Sequence, residues 1–130
     1  MTANKLKILI CDDSLLMRKK LKESLQVCGC SDIIEAFDGQ SAVDIYKTSK
    51  PDLIFMDIVM PVKDGIEAVT EIKQLDSNAK IVMVSSSGTQ SHLKKAIKAG
   101  AYEFVQKPWE QIQIENIVKK ILKERGEANV

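Results

Sequence analysis

The chain has 130 residues, the size of one domain, and 45% of them are apolar, enough to bury a core without disulfides. Nineteen basic and 18 acidic residues leave a net charge of +1, which argues against a nucleic-acid binder with a basic face. At 5%, aromatic residues are too few for a stacking platform for single-stranded nucleic acid.

The first apolar run is LKILIC, Leu6 to Cys11. The segment that carries it, MTANKLKILI, has too short an apolar stretch for a signal peptide and no small-residue cleavage pattern. Leu21, Leu25 and Cys28 then recur at helical spacing, and the basic run Arg18, Lys19, Lys20 and Lys22 reads as a solvated face of that helix. Gly29 punctuates its end. The second run is DIIEAF, Asp32 to Phe37, and Pro51 opens the third, DLIFM, Asp52 to Met56. Ile66, Val69 and Ile72 predict the next helix, followed by KIVMV, Lys80 to Val84, with a turn at Gly88. Leu93, Ala96 and Ile97 give the apolar positions of a fourth helix, and the single histidine, His92, reads as a surface residue near its start. After Gly100 comes EFVQ, Glu103 to Gln106, and then the cleanest stripe, Ile114, Ile117, Val118, Ile121 and Leu122.

Five strands, each followed by a helix, make a repeating βα unit, and right-handed crossovers put helices on both faces of a parallel sheet. The runs before Asp12, Asp57 and Ser85 are apolar on both faces, as buried parallel strands are. A closed barrel needs eight units and about 200 residues or more, so an open doubly wound sheet is expected. One domain is expected over residues 1–125, with a short tail over 126–130 and no output domain. Cys11, Cys28 and Cys30 form no CxxC pair and fit free thiols in a reducing compartment, with Cys11 as core filler. No apolar run approaches a membrane span, so a cytoplasmic location is expected.

In an open parallel sheet the ligand site lies beyond the carboxyl ends of the strands, where the strand order switches. Asp12 and Asp13 follow the first strand, Asp57 the third, Ser85, Ser86 and Ser87 the fourth, and Lys107 and Pro108 the fifth. Three carboxylates on neighbouring strand ends cannot all ionise together without a cation. Mg2+ suits them, since it favours oxygen ligands and is held by one or two carboxylates beside a phosphate. With Lys107 the cluster becomes neutral and ready for an anion. Lys107 can act as a point charge on a phosphoryl oxygen, Ser85 can donate to another, and Asp57 can accept a phosphoryl group as an acyl phosphate.

The motifs LICDDSLLMR, FMDIVMPVKDG, IVMVSSSG and AIKAGAYEFVQKPW occur in that order, each at a predicted strand end. With them the chain resembles the response-regulator receiver family, most closely its chemotaxis, CheY-like branch of stand-alone receivers. The resemblance covers nearly the whole chain. It implies a flavodoxin-like (βα)5 domain of strand order 2-1-3-4-5. It implies two-component signalling, in which a histidine kinase phosphorylates Asp57 in a Mg2+-dependent reaction that the receiver assists. By the same resemblance Asp13, Asp57 and the backbone carbonyl of Val59 bind Mg2+ directly, Asp12 acts through water, and Mn2+ serves as a substitute. The Lys107–Pro108 bond is expected to be cis. Ser85 then moves toward the phosphate, Phe104 turns inward, and the face made by helix four, strand five and helix five changes shape for an effector. That effector would be a motor, a phosphatase or a phosphotransfer protein. The chain is expected to be a monomer and a switch rather than a turnover enzyme, with no nucleic acid and no membrane insertion.

Phe104 stands where chemotaxis members often carry tyrosine, and Ser85 where threonine is also common. Apolar Val59, two residues after the acceptor, cannot orient an attacking water, so a slow loss of the phosphoryl group is expected. Blander roles exist for the same residues: Asp13 or Ser14 as a helix cap, Ser85 as a turn residue, Lys107 as a solvated lysine, Trp109 as part core and part partner surface. A phosphorelay intermediate would use the same chemistry at Asp57. A flavodoxin-like FMN carrier would need a phosphate-cradling loop where Asp12 and Asp13 stand. A haloacid-dehalogenase-type phosphatase would need a second aspartate where Ser14 stands.

Overall fold

The alternation of side chains along each strand decides the architecture. In the computed structural model, which describes residues 2–86 and 90–126, five strands form one parallel sheet. They are β1 (Lys7–Cys11), β2 (Asp32–Ala36), β3 (Leu53–Asp57), β4 (Ile81–Ser85) and β5 (Glu103–Gln106). The sheet order is β2-β1-β3-β4-β5, so the expected doubly wound topology is present. Five helices intervene: α1 (Leu15–Val27), α2 (Gly39–Ser49), α3 (Gly65–Leu75), α4 (Gln90–Ala99) and α5 (Gln111–Glu124). Among the described residues no helix is long and apolar enough to cross a membrane. Ser87, Gly88 and residues 127–130 lie outside the described part of the chain.

Successive strand residues point to opposite faces, and both faces are covered. Ile8, Ile10, Leu53, Phe55, Val82 and Val84 pack into one apolar cluster with Leu21 and Leu25 of α1 and the full α5 stripe. Leu9, Cys11, Ile54, Met56, Ile81 and Met83 pack into a second with Val43 of α2, Val69 and Ile72 of α3, and Ala96 of α4. All three cysteines are buried and free.

Some boundaries and burials differ from the sequence reading. β3 and β4 run one residue further at the site edge than expected, so Asp57 and Ser85 are their last residues. Phe37 falls outside β2 and is 59% exposed. Pro51 stands two residues before β3, which is a central strand, and the amide of Asp52 bonds to Lys7 O at 2.7 Å. On α4 the apolar stripe is not a buried one: Ala96 is buried, while Leu93 is 36% and Ile97 64% exposed. His92 is half-buried rather than fully exposed.

The edge at the carboxyl ends of the strands is built tightly. Side-chain oxygens of Ser14, Asp38 and Asp64 cap α1, α2 and α3 by accepting from the amides of Met17, Ser41 and Glu67. The loop between β3 and α3 is pinned at both ends. Gly39 donates to Lys63 O at 3.0 Å, and a Cβ at Gly39 would lie 2.1 Å from that oxygen. Gly65 donates to Ile58 O at 2.7 Å, and a Cβ there would lie 2.0 Å from the carbonyl oxygen of Asp57. Only glycine permits such close backbone approaches.

Candidate functional site

Asp12 and Asp57 meet because β1 and β3 are sheet neighbours, with Cys11 paired to Met56. Asp12 follows β1 directly, Asp57 ends β3, and Asp13 comes next along the β1–α1 turn. One carboxylate oxygen from each of the three lies within 4.8 Å of the others. Asp12 and Asp57 are buried, at 6% and 9% exposed, whereas Asp13 is open to solvent.

Lys107 reaches this cluster from the turn after β5. Its Nζ stands 2.7 Å from Asp12 Oδ2 and 3.6 Å from Asp57 Oδ1, and its side chain is only 11% exposed. It is therefore not a solvated lysine. Its backbone amide donates to Ser85 O at 2.8 Å, which ties the β5–α5 turn to the end of β4. The Lys107–Pro108 bond is cis. Ser85 is itself 2% exposed. Asp57 Oδ1 accepts from the amide of Ile58 at 2.9 Å, which fixes the orientation of the carboxylate.

The electrostatics follow from that geometry. Burial pushes the Asp57 carboxyl up to about 6, the charge of Asp12 adds to this, and Lys107 opposes it. One ammonium against three carboxylates leaves the cluster short of positive charge. All three donors are carboxylate oxygens, and the exposed side at Asp13 leaves room for water. A hard dication such as Mg2+, which takes oxygen ligands and keeps part of its hydration shell, fits this donor set.

The helix cap is Ser14 and not Asp13, because Ser14 Oγ accepts from Met17 N at 3.3 Å. Asp12 Oδ1 accepts from the amide of Ser14 at 2.9 Å, so this carboxylate bridges the turn and Lys107. Val59 is exposed at the start of the β3–α3 loop, and Phe104 is half-buried on β5 against the second apolar cluster. Trp109 packs against the first cluster, and its Nε1 donates to Ser24 Oγ at 3.1 Å.

Arg18 corrects the sequence reading most clearly. It is 6% exposed and does not belong to a solvated basic face. Its Nη1 donates to the carbonyl oxygen of Asp12 at 2.7 Å, its Nε pairs with Glu35 Oε1 at 3.1 Å, and its guanidinium lies 4.5 Å from the Phe37 ring centre. Arg18 thus clamps the backbone that carries Asp12 and Asp13. Its position gave the signal: 18, 21, 25 and 28 form one helical stripe with Leu21, Leu25 and Cys28, all buried.

Comparison with known proteins returns one consistent class. The family model described as the response regulator receiver domain matches residues 8–119. The chemotaxis protein CheY of Bacillus subtilis is 44% identical over 89% of this chain and 97% of its own length. That of Halobacterium salinarum is 43% identical over 88% of this chain and 95% of its own. Among solved structures, a CheX-CheY-BeF3-Mg2+ complex from Borrelia burgdorferi aligns with a TM-score of 0.84 and 32% identity, over 90% of this chain and 89% of that one.

Two measurements check the site's energetics. The carboxyl of Asp57 titrates higher in the fold than in the unfolded chain, so its ionised form weighs against folding. That penalty is absent below about pH 4, grows as pH rises to about 6, and is complete above. Asp57→Asn should therefore unfold in urea about 1–2 kcal/mol later than the parent at pH 7.5 without divalent ions, after allowing for solvent screening, and the gap should close near pH 4. Arg18→Ala strips a buried carbonyl and a carboxylate of their donor and should lose about 2–4 kcal/mol in the same assay, while exposed Lys19→Ala stays within about 0.5 kcal/mol.

Proposed function

The chain belongs to the response regulator receiver family, and from that premise we propose that it is a two-component signalling switch that takes a phosphoryl group onto Asp57. The observation that carries this reading is the juxtaposition of Asp12, Asp13 and Asp57 with the Lys107 ammonium at one sheet edge. Asp12, Asp13, Asp57 and the backbone carbonyl of Val59 would hold Mg2+, or Mn2+ in its place. When bound, the ion supplies the positive charge that lets an anionic phosphoryl group approach three carboxylates.

The chain's own residues then have distinct tasks. A carboxylate oxygen of Asp57 attacks phosphorus, a P–O bond forms, and the bond to the donor's nitrogen breaks, leaving its electron pair on that histidine. The amide of Ile58 keeps the Asp57 carboxylate in one orientation for this attack. Lys107 exchanges part of its contact with Asp12 and Asp57 for a phosphoryl oxygen, and the Ser85 hydroxyl donates to another. Phosphoryl contact with Ser85 and Lys107 acts on β4 and β5, and so on Phe104, whose ring faces the second apolar cluster. The effector is met on the α4–β5–α5 face.

The names of the relatives support a chemotaxis-type role. Phe104 carries no hydroxyl, so the ring alone reports the state of the site. Val59 offers no polar group to steer a hydrolytic water, which favours a long-lived acyl phosphate.

Incubation with Mg2+ and acetyl phosphate, followed by intact-mass measurement, should give one base-labile phosphoryl adduct. The adduct should be missing in Asp57→Asn and in EDTA. An adduct that survives in Asp57→Asn, or forms equally in EDTA, would remove the proposal.

A further inference from the structure

We propose that the groove between α3 and α4 docks an acidic amphipathic helix of a protein partner. The groove is about 500 Å3 and is lined by Ile66, Thr70, Lys73 and Gln74 of α3 and by Lys95, Lys98 and Ala99 of α4. These positions fall at helical spacing on each element, so each helix offers one continuous stripe. Ile66 and Ala99 form an apolar floor that packs against the second core cluster. Among the described residues the charges on the lining are three ammoniums.

The charge is built in, and of the three ammoniums Lys73 also acts on the Asp76 carboxylate at the end of α3. The α4 sequence QSHLKKAIKA has three lysines and no acidic residue, on a chain whose net charge is +1. Among the described residues no carboxylate lies within ion-pair distance of Lys73, Lys95 or Lys98. Glu71 of α3 pairs with Lys63. Lys73 is held in place by neutral groups, donating to Ser77 O at 2.6 Å and Ala79 O at 3.2 Å.

The lining also selects the kind of partner. It has no aromatic ring on which a base would stack and no glycine-rich turn of amides to cradle a phosphate. The exposed ammoniums of Lys95 and Lys98, on flexible stems, accept dispersed carboxylates, and the floor beside them needs apolar side chains to fill it. A helix with apolar residues on one stripe and Asp or Glu beside them meets both demands. The groove lies on the α3 side of α4 and uses no residue of β5 or α5. It stands on its own charge and shape, independently of phosphoryl transfer at Asp57.

The test is a titration of the unphosphorylated, isotope-labelled full chain, followed by amide NMR shifts. The probe is a synthetic peptide of about 14 residues with leucines at helical spacing and glutamates between them. Saturable shifts centred on Ile66, Thr70, Lys95, Lys98 and Ala99 are expected, with affinity falling as salt rises. The exposed-site double variant Lys95→Glu/Lys98→Glu should bind at least about tenfold more weakly, and a peptide with lysines in place of the glutamates should not bind. Absence of saturation, shifts centred on β5 and α5, an unchanged affinity in the double variant, or displacement of the peptide by inorganic phosphate would each overturn the proposal.

Discussion

Three carboxylates held within 4.8 Å of one another are the constraint around which this chain is organised. Like charges so close repel, and two of the three are buried, where water cannot screen them well. The fold must hold them together against that force. It does so with two apolar clusters that cover both faces of the sheet and fix the strand ends on which Asp12 and Asp57 stand. The penalty is local and appears as the raised Asp57 carboxyl, while the stabilisation is spread over the whole core.

Around the acids, contacts that look unrelated have one effect. Gly65 lets α3 begin against the carbonyl of Asp57, and Gly39 lets α2 begin against Lys63, so the β3–α3 loop cannot drift. Arg18 holds the carbonyl of Asp12 from behind, and Ile58 N–H holds the carboxylate of Asp57 from below. Among the described residues Lys107 supplies the one cation in the cluster, anchored to Ser85 through its own amide. A site pre-set in this way needs little rearrangement to accept a charged group.

Much of this was legible in the sequence, for physical reasons. Strands buried on both faces must be apolar throughout, so β1, β3 and β4 stand out, and a carboxylate or hydroxyl directly after such a run has nowhere to go but the sheet edge. Asp12 and Asp57 were visible on those grounds, whereas Ser85 was singled out among three serines only by the family resemblance, and Lys107 by its place after the fifth strand within the resembling motif. Arg18 was hidden because a charged residue within a basic run reads as solvated, and only its place on the Leu21–Leu25–Cys28 stripe revealed otherwise. The α4 helix misled in the opposite sense. Leu93 and Ile97 keep helical spacing, but among the described residues of α4 only Ala96 is buried, within the second core cluster. Periodicity tells which residues share a face and does not tell what that face meets.

The account rests on the acid cluster being a site for a cation and a phosphoryl group, and a crystal structure of the chain grown with Mg2+ and beryllofluoride tests that most directly. The account predicts one Mg2+ on Asp13 and Asp57, a beryllofluoride group on the Asp57 carboxylate, and the Lys107 ammonium in contact with a fluorine. Crystals showing no density beside Asp57, or with Lys107 still closed on Asp12 and the metal bound elsewhere, would contradict it.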